Sequence, residues 1–131
     1  MKTSELTGAA LDWAVARAEG AYAPSIHTDA DGTCCVNYGG MFPEWSTNWT
    51  HGGPIIEREK IGVWWAPHVV DADGNEYGNC WYAETGLTEE NADERHVCME
   101  GETPLIAAMR CYVASKLGDE VDVPEALDTH V

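Results

Sequence analysis

Apolar positions spaced three and four residues apart mark both ends of the chain as helical. Near the start, Leu11, Ala14, Val15 and Ala18 share a face, with Leu6, Ala10 and Trp13 beside them. This spacing predicts a helix that begins at Thr7 or Gly8 and runs to Glu19, with Ser4 or Thr7 as N-cap and Gly20 as its stop. Towards the other end, Leu105, Met109, Tyr112 and Val113 form a second apolar face that Ile106 and Leu117 widen. Thr103 is a natural N-cap there. Pro104 stands where its missing N–H costs nothing, Lys116 lies in the last turn, and Gly118 ends the run.

Between the two helices the pattern changes to short runs rich in β-branched, aromatic and Cys residues, bounded by Gly, Asp, Asn or Pro. Residues 33–38, 61–66 and 79–84 read as strands. Asp-Ala-Asp-Gly occurs at positions 29–32 and again at 71–74. Without the glutamate-ended frame of a calcium loop, these segments are expected to be hairpin turns. The stretch 86–102 is acidic and reads as a surface excursion or a short capped helix starting near Thr88, and the acidic tail 119–131 is expected to be partly mobile. The expected fold class is α+β: a small antiparallel sheet packed against two helices, in a single domain over residues 1–131.

Charge narrows the function classes. With 23 acidic and 7 basic side chains the formal net charge is −16, and the scattered cations cannot build a basic face for duplex or membrane-surface binding. The N-terminus lacks the order of a signal peptide, and no apolar run is long enough to span a bilayer, so the expected place is the cytoplasm. Five cysteines, an odd number without repeated spacing, are expected to remain core thiols.

One segment stands out as costly to keep. Residues 45–59 join Trp45 and Trp49 to a Gly52-Gly53-Pro54 lead-in to a short helix. The glycines permit close approach of another group, and free N–H groups at such a helix start can receive an anion. The indoles can stack on a flat ligand. The same indoles also fit as core plugs, with the glycines serving only a tight turn.

Three blocks then carry a resemblance: residues 4–16 (SELTGAALDWAVA), 49–59 (WTHGGPIIERE) and 103–121 (TPLIAAMRCYVASKLGDEV). Together they cover about a third of the chain, and in order and content they resemble the NinX-like family of small phage and prophage proteins. The resemblance implies a phage accessory protein made in the cytoplasm of an infected bacterium. It implies no reaction, because the family is not defined by an established activity.

The chemistry must therefore come from the residues. His27, His51, His68, His96 and His130 are dispersed, no nucleophile, phosphate-loop or zinc spacing occurs, and neither catalysis, a metal nor a cofactor is expected. The leading expectation is an anti-defence protein that binds and sequesters a nucleotide-type immune signal. Its expected ligand-binding residues are Trp45, Trp49, His51, Gly52, Gly53, Arg58, Lys60, Arg110 and Lys116, in a monomer or a homo-oligomer. The alternative is an acidic DNA mimic or inhibitor that occupies a basic host protein through residues such as Glu89, Glu90, Asp93, Glu94, Glu100 and Glu102.

Overall fold

Three helices and three small antiparallel sheets make up the α+β fold of the computed structural model, which describes residues 1–20, 24–85 and 97–127. Helix α1 spans Gly8–Glu19 between Thr7 and Gly20, as its spacing predicts, although the Thr7 side chain makes no capping bond. Helix α3 spans Pro104–Leu117. Its Thr103 hydroxyl accepts the Ile106 N–H at 3.1 Å, and the Gly118 N–H returns to the Ala114 carbonyl at 3.0 Å. Both ends are thus satisfied by neighbours within one turn.

The first sheet pairs β1 (Ser25–Thr28) with β2 (Cys34–Asn37), and its tip is the first Asp-Ala-Asp-Gly segment. Helix α2 (Trp49–Glu59) follows. Next comes a long hairpin of β3 (Gly62–Ala66), β4 (Val69–Val70), β5 (Glu76–Tyr77) and β6 (Cys80–Thr85). The second Asp-Ala-Asp-Gly segment turns that hairpin. Both turns close with the glycine N–H on the carbonyl of the first aspartate, Gly32 on Asp29 at 2.9 Å and Gly74 on Asp71 at 3.1 Å.

Strand β7 (Val97–Gly101) corrects the reading of 86–102 as an excursion for its last part, while residues 86–96 lie outside the described residues. It completes a three-stranded sheet in the order β3-β6-β7. Within the acidic stretch, Val97 and Met99 alternate with Cys98 and Glu100. The first pair packs against the core while the second is exposed, the period of a half-buried strand. The expected helix near Thr88 lies outside the described residues.

Register assigns the faces of this sheet. Trp65, Trp81 and Gly101 stand in one row, and Val63, Ala83 and Met99 in the next row on that same inner face. Trp64, Tyr82 and Glu100 form a row on the outer face. The inner face packs on α3. At Gly101 a Cβ would stand 2.5 Å from the Ala107 nitrogen, so only glycine lets β7 lie on the start of that helix. Around α3 the core gathers Leu6, Leu11, Val15, Ile55, Ala83, Met109, Tyr112 and Val113.

Part of the acidic tail packs on the body of the fold. The Met1 ammonium donates to the Val121 carbonyl at 3.0 Å, the Val121 N–H returns to the Met1 carbonyl at 2.9 Å, and Val121 and Leu127 are buried. All five cysteines are free thiols, but only Cys111 lies in the core; Cys98 is exposed. Burial pushes the Cys111 thiol up to about 12, which leaves it unreactive.

Candidate functional site

The expected site residues separate into three places. The first is the α2 start. Asn48, not the glycine pair, caps this helix: its side chain accepts the Thr50 N–H, and its carbonyl accepts the His51 and Gly52 N–H groups at 3.0 and 2.9 Å. Gly52, Gly53 and Pro54 therefore lie inside the first turns, and the Gly52 donor is already used. Of the pair, Gly52 serves packing, whereas a Cβ on Gly53 would have room. A Cβ on Gly52 would meet Leu105 Cδ1 at 2.5 Å and the Trp45 carbonyl oxygen at 2.6 Å. Trp45 is buried in the core, edge-on to Tyr38, while Trp49 is 54% exposed. His51 Nδ1 accepts the Glu44 N–H at 2.9 Å and so holds the preceding loop.

The second place is a charged cluster around Tyr112. Arg58 Nη2 lies 2.9 Å from Glu19 Oε1 and 3.2 Å from the Tyr112 hydroxyl, Arg58 Nε lies 3.1 Å from Glu59 Oε2, and Lys116 Nζ lies 3.0 Å from Glu59 Oε1. The hydrogen bond that Arg58 donates to Glu19 leads the effects that raise the Arg58 pKa, and the bond that Lys116 donates to Glu59 leads those that lower the Glu59 pKa. These cations are neutralised by their own chain. Lys60 stands apart as the exposed left-handed residue that ends α2.

Arg110 occupies the third place, and it is the expected residue that meets a cleft of ligand size. It is 8% exposed on α3, with Nε donating to the Leu6 carbonyl at 2.9 Å and Nη1 to the Glu100 carbonyl at 2.8 Å. Both acceptors are neutral. Burial lowers the Arg110 pKa, opposed by the nearby Glu102 and Glu100 charges. The guanidinium borders a cleft of about 430 Å³ lined by Trp65, Asn79, Cys80, Glu100, Gly101 and Glu102, with none of the other expected residues in its wall.

Three elements meet at this cleft. Trp65 stands on the inner face of β3, edge-on to Trp81 with ring centroids 5.5 Å apart, and is 46% exposed. Asn79 is held in the left-handed region at φ 57°, its N–H on the Ala66 carbonyl at 2.7 Å. The end of β7 brings Glu100 and Glu102. Sequence reasoning missed Trp65, Asn79 and both glutamates as lining residues. A usable signal was Trp64-Trp65, because adjacent strand residues face opposite ways and a sheet covered on one face cannot bury both.

The arrangement offers an indole face, an amide, two carboxylates and a guanidinium that no carboxylate among the described residues bonds. Among the described residues, no group of three or more His, Cys, Asp or Glu side chains is placed to hold a metal ion. A family model described as Bacteriophage P22, NinX matches residues 2–116, most of the chain. The protein belongs to the phage NinX family. No curated protein matches the chain. Among its described residues, no helix of this NinX-family protein is long and apolar enough to cross a membrane.

Proposed function

We propose that this phage accessory protein binds and sequesters a nucleotide-type small molecule without turning it over, and that it does so at the Trp65–Arg110 cleft. One observation carries the reading: a half-exposed indole and a guanidinium bonded to neutral carbonyls line the same 430 Å³ space. That volume lies within the range of small-molecule sites. A base stacks on Trp65, a phosphate oxygen takes the positive charge of Arg110, and Asn79 meets the amide-like edge of the base. Glu100 and Glu102 accept from ribose hydroxyls or exocyclic amines, the use nucleotide sites commonly make of a carboxylate.

This reading moves the site away from Trp45, which is in the core, from Gly52, whose donor is used at the helix start, and from Trp49 and Gly53, which lie outside the cleft wall. In the cytoplasm of an infected bacterium, removal of a nucleotide signal would blunt a host defence. The test incubates the purified protein with linear and cyclic nucleotides, follows indole fluorescence and melting temperature, and then releases the ligand by heat. Saturable quenching with intact ligand recovered is the expected result. A chemically altered product would overturn sequestration, and binding undiminished in Trp65→Ala would remove the site.

A further inference from the structure

A second cleft lies on the outer face of the β3-β6-β7 sheet, the face that α3 does not cover. It encloses about 420 Å³ between His68, Glu76, Tyr77, Asn79, Tyr82 and Glu100. It shares only Asn79 and Glu100 with the Arg110 cleft, and its chemistry is opposite. Among the described residues, no Lys or Arg lines it. Glu76 and Glu100 supply two carboxylates, Glu76 with His68 Nε2 at 3.2 Å from one oxygen and Glu100 accepting the Cys80 thiol at 3.6 Å. Asp71 adds a third nearby, accepting the Tyr77 hydroxyl at 2.8 Å and so orienting that ring.

Aromatic surface surrounds the acids. Tyr82 stacks on Trp64 with centroids 5.9 Å apart and planes 17° from parallel. Tyr77 is 55% exposed beside its cross-strand partner Val69, which is also exposed, and Trp64 is exposed on the outer face of the sheet. Ring faces attract a cation through their quadrupole, and carboxylates beside them neutralise it. The long methylene stem of a basic side chain covers apolar surface while its head reaches the charge.

We propose that this outer cleft receives the guanidinium or ammonium group of an arginine or lysine on an exposed segment of a partner protein. Charge complementarity identifies the occupant: a chain at −16 attracts a basic partner, and the described wall of the cleft gathers carboxylates with no Lys or Arg, so that an incoming cation competes only with the His68 ring for Glu76. The exposed apolar side chains argue for a polypeptide over a free polyamine, since Trp64 and Val69 offer area that a linear amine would leave bare. The two clefts meet at Asn79 and Glu100, but Glu76 and Tyr77 line the outer one alone, and its occupant sits on the other face of the sheet from Trp65.

The test titrates the full chain with a short peptide alternating arginine and valine, with the same peptide carrying neutral citrulline, and with spermidine, read by calorimetry. The arginine peptide is expected to bind about tenfold or more tightly than the citrulline peptide and to weaken as salt rises. Glu76→Gln and Tyr77→Ala alter exposed side chains and keep the fold; together they should cost about tenfold in peptide affinity with no loss of nucleotide binding. Equal binding of both peptides, or full binding in the double variant, would overturn the proposal. Spermidine saturating the cleft at lower concentration than the peptide would overturn the protein occupant.

Discussion

The Ser46 backbone N–H donates to Asp12 Oδ1 at 2.8 Å, joining the loop before α2 to the middle of α1 across 34 positions of the chain. The Ser46 hydroxyl adds a bond to the Gly8 carbonyl at 3.4 Å. Asp12 is buried, and burial outweighs the Ser46 bonds, raising its carboxyl from 3.8 to about 6. Between those two values the folded chain holds a proton on Asp12 that the unfolded chain has lost. Asp12 therefore subtracts stability as pH rises from about 4 to about 6.

Asp12→Asn keeps an oxygen for the Ser46 N–H and removes the titration. The variant should gain on the wild type by up to about 3 kcal/mol as pH rises through that window, with a constant difference above it. Denaturant melts at a series of pH values check this, and an Asp12 carboxyl titrating near 4 by NMR would contradict it.

Gly52→Ala should destabilise the chain by about 1–3 kcal/mol, because the new methyl meets both Leu105 and the Trp45 carbonyl. Adding Leu105→Ala relieves the side-chain collision but not the carbonyl, so a double-mutant cycle should show partial coupling. Additive losses would mean that α2 shifts as a body instead.

The tryptophans should divide by role. Trp45→Ala removes a core ring and should cost about 3–5 kcal/mol of stability. Trp65→Ala should leave the melting temperature nearly unchanged and weaken nucleotide binding by about 1–3 kcal/mol. Trp49→Ala, exposed and outside the cleft wall, should change neither.

Arg110→Lys should lose about 1–3 kcal/mol of stability, since a single ammonium cannot reproduce the forked contacts to Leu6 and Glu100. Arg58→Ala, whose ion pairs lie half in water, should cost less than about 1 kcal/mol and leave nucleotide binding intact.

The difference between Arg58 and Arg110 shows where sequence reasoning stops. Each is a cation within a family-like block, and each was a fair choice as a ligand contact. Arg58 pairs with Glu19 from 39 positions away, and Arg110 reaches the Leu6 carbonyl 104 positions away. Neither partner follows from local pattern. Strand β7 was hidden for a related reason: its alternation spans only five residues, and exposed Glu100 beside exposed Cys98 resembles a solvated loop until β6 supplies the ladder.

Helices α1 and α3, the two Asp-Ala-Asp-Gly turns, the α+β class and the family relationship were all legible in the sequence by itself. Their causes are short-ranged: apolar spacing within a few turns, caps that bond a donor three residues on, and turns that close over four residues. Tertiary structure alone decided that Trp45 belongs to the core and Trp65 to a cleft, and that Arg110 serves that cleft while Arg58 and Lys116 neutralise Glu19 and Glu59. A side chain's burial and charge partners are set by elements distant in sequence, and local periodicity carries no record of which elements those are.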